Sequence, residues 1–227
     1  MKRVKNVMWL VLLVGSLAQA QYNCSRFYPF EDGAKRTYKM TDALTNDHLG
    51  MVVYEIERIY ETAGTPSATM GHRLLDSYGN VMSSSSYEMV CTSDGIYIDF
   101  NSLYRPGLLG RLTSDHEITG TNVVIPNELN VGDELADAGM KVSFKMRGTP
   151  VEFSMSIKDR KVIGTETVTT PAGTFDCYIV TQKMETIMTA SFISSSKQWL
   201  AEGIGLVKQE DYAPDGSLSA TILLDSM

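Results

Sequence analysis

Histidine and cysteine are scarce in this chain, with three of each in 227 residues. His48, His72 and His116 stand far apart, and none has the short-spaced partners that a metal site needs. No metal or cofactor is expected. The sequence has no G-x-S-x-G, no P-loop and no G-x-G-x-x-G. Ser194-Ser-Ser-Lys197 spells S-x-x-K, but it lies in a Ser-rich run rather than at the start of a buried helix with its companion motifs. Asp115-His116-Glu117 reads as a solvated turn. Gly203-Ile204-Gly205 is too short to cradle a phosphate and reads as a bend or bulge beside Trp199. These gaps point away from an enzyme. A hydrolase would require converging carboxylates or a Ser–His contact.

Clustered Lys/Arg is also missing. After a leader, discussed next, 17 basic residues face 27 acidic ones, a net of −10. A chain that acidic repels nucleic acid and anionic membrane surfaces.

The leader is the first twenty residues. Lys2, Arg3 and Lys5 precede an apolar run from Val7 to Leu17, and Ala18-Gln19-Ala20 is a small-x-small site. This is the pattern of a secretory signal peptide cut near Ala20. The run falls short of the roughly 20 residues that a membrane anchor needs. The expected product is a single domain, residues 21–227, secreted to the periplasm or outer surface, with no transmembrane segment. Gln21-Tyr22-Asn23 before Cys24 is unlike a lipoprotein signal. Three cysteines in a secreted chain suggest one disulfide and one thiol. Cys177 alternates with Phe175 and Ile179 as a small buried hydrophobe would. Cys24–Cys91 is then the simplest pairing, with the other two still open.

What is abundant is alternation. Val52, Tyr54 and Ile56 alternate with Glu55 and Glu57. Tyr87, Met89 and Cys91 share a face, as do Ile96, Ile98 and Phe100. Thr165–Thr170, Pro171-Ala172-Gly173 and Thr174–Thr181 read as strand, turn and strand. A polar Ser/Thr-rich span follows before Trp199. Asn101–Arg111 has no clean period and reads as a loop or a short helix around Leu108 and Leu109. Thr121–Pro126 reads as an edge strand. Turns recur about every ten residues and helical stripes are nearly absent. The fold class is all-β with little helix, an antiparallel meander forming a curved sheet, half-barrel or barrel.

One hairpin stands out. Met140, Val142, Phe144 and Met146 alternate with polar residues, Gly148-Thr149-Pro150 turns the chain, and Val151, Phe153, Met155 and Ile157 alternate again. Eight apolar side chains then share one sheet face. Either protein or a guest must cover it. The methionines suit a deformable apolar cavity or ordinary core filling.

Pro171-Ala-Gly-Thr-Phe-Asp-Cys-Tyr178, Trp199-Leu-Ala-Glu-Gly-Ile-Gly-Leu-Val-Lys208, the start at Cys24 with Phe27-Tyr-Pro29 and Gly33, and Tyr87–Phe100 resemble TapB-like proteins. These are a family of secreted Bacteroidales proteins of unknown function. The resemblance implies an architecture similar to LolA/LppX-type carriers and supplies no catalytic residues. The expected function is a secreted envelope protein that binds a lipid or other apolar or amphipathic ligand on the eight-residue face. The alternative is an envelope structural or interaction module with a protein partner and a full core.

Overall fold

The computed structural model describes residues 24–103, 116–146 and 148–227. The leader lies outside them, as do Leu108 and Leu109. The chain runs β1 (Lys35–Asp42), β2 (His48–Thr62), β3 (Thr65–Asp76), β4 (Val81–Cys91) and β5 (Gly95–Ile98). A single 3₁₀ turn follows (Phe100–Leu103). Then come β6 (His116–Thr121), β7 (Val123–Pro126), β8 (Glu134–Leu135), β9 (Ala138–Met146) and β10 (Thr149–Thr170). The last four are β11 (Gly173–Ile187), β12 (Ser191–Ala201), β13 (Gly205–Tyr212) and β14 (Leu218–Ser226). No α-helix occurs among the described residues.

All fourteen strands form one antiparallel sheet, nearly closed into a barrel. Its order is β6-β9-β10-β11-β12-β13-β14-β1-β2-β3-β4-β5-β7, with β8 also on β10. Neighbours are mostly neighbours in sequence, as short turns dictate. The pairing of β1 with β14 joins the two ends of the meander. The edge strand β7 approaches β9, which lies next to the other edge strand β6, across a seam. There Arg160 Nη1 donates to Val124 O at 3.0 Å and Ala136 O at 2.9 Å. A sheet edge leaves carbonyls unpaired, and this guanidinium satisfies two of them.

Several sequence expectations need correcting. The edge strand is Val123–Pro126, and His116–Thr121 forms a separate strand. Val151–Ile157 and Thr165–Thr170 belong to one strand of 22 residues, β10. Its register shifts beside Asp159, where φ is 52°, and again at Val162–Gly164. The shift turns Arg160 inward. The Ser/Thr-rich span is mostly strand, because β12 pairs along its whole length with β11.

One end of the barrel is stoppered by residues 24–34. Phe27 and Phe30 are buried in the main core with Ile56, Met70, Met89 and Val180. The disulfide Cys24–Cys91 ties this plug to β4, with Cα atoms 5.7 Å apart. Asn127 ties the plug to the β4–β5 turn. Its Nδ2 donates to Cys24 O and Ser93 O, and its Oδ1 accepts from Arg26 N–H. Tyr28 packs so closely on Gly205 (φ +85°) that a Cβ there would sit 2.5 Å from its ring. Only glycine tolerates both the conformation and the contact.

The sheet is not one-faced throughout. Val168, Cys177, Trp199, Ala201 and Val207 form a second buried cluster on the face opposite Val180, where the β10–β11 hairpin folds back towards β13 and β14. Phe175 and Ile179 are only partly buried there. Leu206 packs against the main core, because the bulge at Trp199–Leu200 sets it opposite Leu200. The Trp199 indole donates to Glu166 Oε2 at 2.7 Å, and Lys208 Nζ lies 4.3 Å from its ring centroid.

Candidate functional site

The hairpin of β9 and β10 is regular because polar and apolar residues alternate without a break on both strands. Directly opposed residues share a face, so the ladder sets the apolar set together. Phe153 faces Val142, Met155 faces Met140 and Val151 faces Phe144. Met146 pairs with Thr149 at the turn, and its side chain lies outside the described residues. Ile157 lies opposite Ala138.

This face is covered to a large extent by the chain itself. Met140, Val142, Phe153 and Met155 are buried, and Phe100, Leu103, Ile118, Phe144 and Met184 pack against them. Ile157 is also buried, while Phe144 and Val151 are half-buried. The described roof is the single turn Phe100–Leu103, while Ile118 of the edge strand β6 lies opposite Val142 and extends the same face. The cluster is separate from the main core that surrounds the plug.

The inner wall between these two clusters is mixed in character. Val180 and Gln182 succeed each other on one face of β11. Gln182 opposes Ser196, and Val180 opposes Gln198. Gln198 Nε2 donates to Gln209 Oε1, and Gln209 Nε2 to Asp211 Oδ1, each at 2.8 Å. On the facing strands Tyr38 and Tyr54 meet edge to face at 5.8 Å, and Tyr54 lies over His72 at 5.0 Å. Burial pushes Tyr28 up to about 12 and holds Tyr38 and Tyr87 well above the usual phenol range. Tyr38 O–H donates to Leu206 O at 2.8 Å. The Arg36 guanidinium sits beside Tyr28 and Tyr38, buried, with no partner on Nε. Sequence patterning gave no hint of Arg36 or Arg160 inside the barrel.

Ser85 Oγ lies 3.5 Å from His72 Nδ1. The two are directly opposed on β3 and β4. That separation is longer than the roughly 2.6–3.2 Å of a nucleophile and its base. No group of three His, Cys, Asp or Glu that could hold a metal occurs among the described residues. Cys177 is the free cysteine, and burial pushes its thiol up to about 11. Two shallow clefts mark the outer surface. One, of about 270 Å³, is lined by Asp159, Thr181, Lys183, Lys197 and Tyr212. The other, of about 350 Å³, lies on the back of the β9–β10 hairpin beside Thr119, Lys141, Ser154 and Lys158.

The nearly closed meander and its hairpin turns fall almost wholly within residues 31–224, the span matched by the model of DUF3108-like proteins. The chain belongs to the DUF3108-like family. Two solved structures share its fold. One is a Bacteroides fragilis protein described as exported, with a YmcC-like fold. It is 23% identical, with a TM-score of 0.71, over 89% of this chain and 99% of its own. The other is a Parabacteroides distasonis protein described as a lipoprotein, also 23% identical with a TM-score of 0.71, over 90% and 99%. No curated protein matches the chain. These matches carry neither the TapB-like name nor a likeness to LolA- or LppX-type carriers. In this DUF3108-like chain, Cys24 is engaged in the disulfide.

Proposed function

We propose that this is an exported envelope protein that binds rather than catalyses, and that it holds an apolar or amphipathic guest on the inner face of β9 and β10. The observation that carries this reading is the separate Met- and Phe-rich cluster, whose described cover is one 3₁₀ turn rather than a helix or second sheet. A roof of that size is a small cooperative unit, and such units open at low cost. Methionines at Met140, Met155 and Met184 let the face reshape around a guest. Export agrees with the leader, with the disulfide and with the descriptions of the two similar structures. The Ser85–His72 contact is read as a cross-strand pair, not a nucleophile and base.

The test is uptake of the neutral apolar probe N-phenyl-1-naphthylamine. Wild type should show saturable fluorescence enhancement. Phe144→Asp, at the half-buried margin of the cluster, should remain folded and lower uptake at least tenfold. No saturable uptake by wild type, or uptake unchanged in Phe144→Asp, would overturn the reading.

A further inference from the structure

At the end of the barrel opposite the plug, two hairpin tips expose large apolar side chains within charge-free runs. Among the described residues, most of the exposed large hydrophobics gather at this end. Ile187, Met188, Phe192 and Ile193 form the β11–β12 tip, and Tyr78, Val81 and Met82 form the β3–β4 tip. Tyr78 is 89% exposed and Phe192 58%. Thr186–Ser196 and Ser77–Tyr87 are eleven residues each without a charge, in a chain of which 21% is charged. Four strands, β13, β14, β1 and β2, separate the two tips around the rim.

We propose that these two tips dock the barrel mouth onto the surface of a neutral lipid bilayer. Successive residues of a strand point to opposite faces, yet Phe192 and Ile193, and Val81 and Met82, are exposed in adjacent pairs. A protein partner laid on a sheet uses one face. A fluid apolar phase wets both. The charge-free runs lessen the cost of entering the interface, although the ionised Asp76 carboxylate caps the Tyr78–Asn80 turn, and the acidic balance of the chain disfavours anionic lipid. Docking stands whether or not the inner face holds a guest.

The experiment is flotation with phosphatidylcholine vesicles. Wild type should co-float equally at low salt and at about 0.5 M salt, since no charge attraction is involved. Phe192→Asp combined with Met82→Asp should lower the floated fraction at least tenfold. In Phe192→Trp, the added emission should shift to the blue with vesicles and be quenched by brominated lipid. That readout decides the matter if the double variant fails to fold. Failure of wild type to float, flotation unchanged in a folded double variant, or no quenching at position 192 would each overturn the proposal. So would a dimer broken by the double variant in a protein that ignores vesicles, since the tips would then meet a second copy.

Discussion

Arg160→Met tests how the barrel closes. The substitution keeps most of the aliphatic volume and removes the guanidinium that spans the seam. Arg160 is 3% exposed, and its Nη1 serves both Val124 O and Ala136 O. The two bonds are part-buried and Ala136 is exposed, so water can replace the donor to Ala136 O, while Val124 O losing its donor costs about 1–3 kcal/mol. Against this, removal of a buried charge recovers part of its desolvation penalty, which is what lowers the Arg160 pKa. The net expectation is a loss of about 1–2 kcal/mol. With a urea slope of about 2 kcal/mol per molar, the unfolding midpoint should fall by roughly 0.5–1 M. Hydrogen exchange should locate the loss in β7 and the segment after β8. An unchanged midpoint with β7 still protected would refute the role of Arg160 as the clasp.

Reduction or Cys91→Ala should cost about 4 kcal/mol on the chain-entropy model for a separation of 67 residues, read as a lower urea midpoint, and an unchanged midpoint would contradict it. Cys177 should resist iodoacetamide at pH 8 in the native protein and react once unfolded, because its thiol is buried and titrates near 11; native labelling by mass shift would contradict this. Asp42, Asp76, Asp94, Asp159, Glu185 and Asp215 are held below the ordinary carboxylate range by hydrogen bonds and, at Asp159 and Glu185, by lysines. Depressed groups stabilise above their unfolded pKa and lose that contribution as pH falls through the folded one, so Tm should be level near neutrality and drop below about pH 4. Glu88, raised by burial, opposes them, and a Tm that holds or rises down to pH 3 would reverse the balance. A fluorophosphonate should leave Ser85 unlabelled, and labelling that Ser85→Ala abolishes would make the His72 contact catalytic.

The strands were legible wherever one face was apolar and the other polar. Val52-Tyr54-Ile56 and Met140-Val142-Phe144 are the clear cases, and glycine or proline marked their turns. The pattern failed where the barrel interior is itself polar. Gln182, Ser196 and Gln198 face inward, so Ser191–Ser196 lacked the alternation that betrays a strand. The bulge at Asp159 shifted the phase of β10, which hid both its length and the inward turn of Arg160. The aromatics Phe27, Tyr28 and Phe30 were visible at the start of the mature chain, but not as a stopper inside a barrel, because that depends on closure between strands distant in sequence. The apolar pairs Phe153–Val142, Met155–Met140 and Val151–Phe144 were legible as one face. The turn Phe100–Leu103 above them was not, because a 3₁₀ turn of four residues leaves no periodicity to read. The charge-free runs at Ser77–Tyr87 and Thr186–Ser196 were visible in the sequence and become informative once topology sets both at one end.

The most direct measurement of guest binding is native mass spectrometry of the protein recovered from the envelope of cells that export it, without detergent extraction. The account predicts a bound species of added mass that is apolar on extraction, present in wild type and lost in Phe144→Asp. Protein at its bare polypeptide mass in both, with the disulfide intact, would contradict it and leave the β9–β10 face as sealed core.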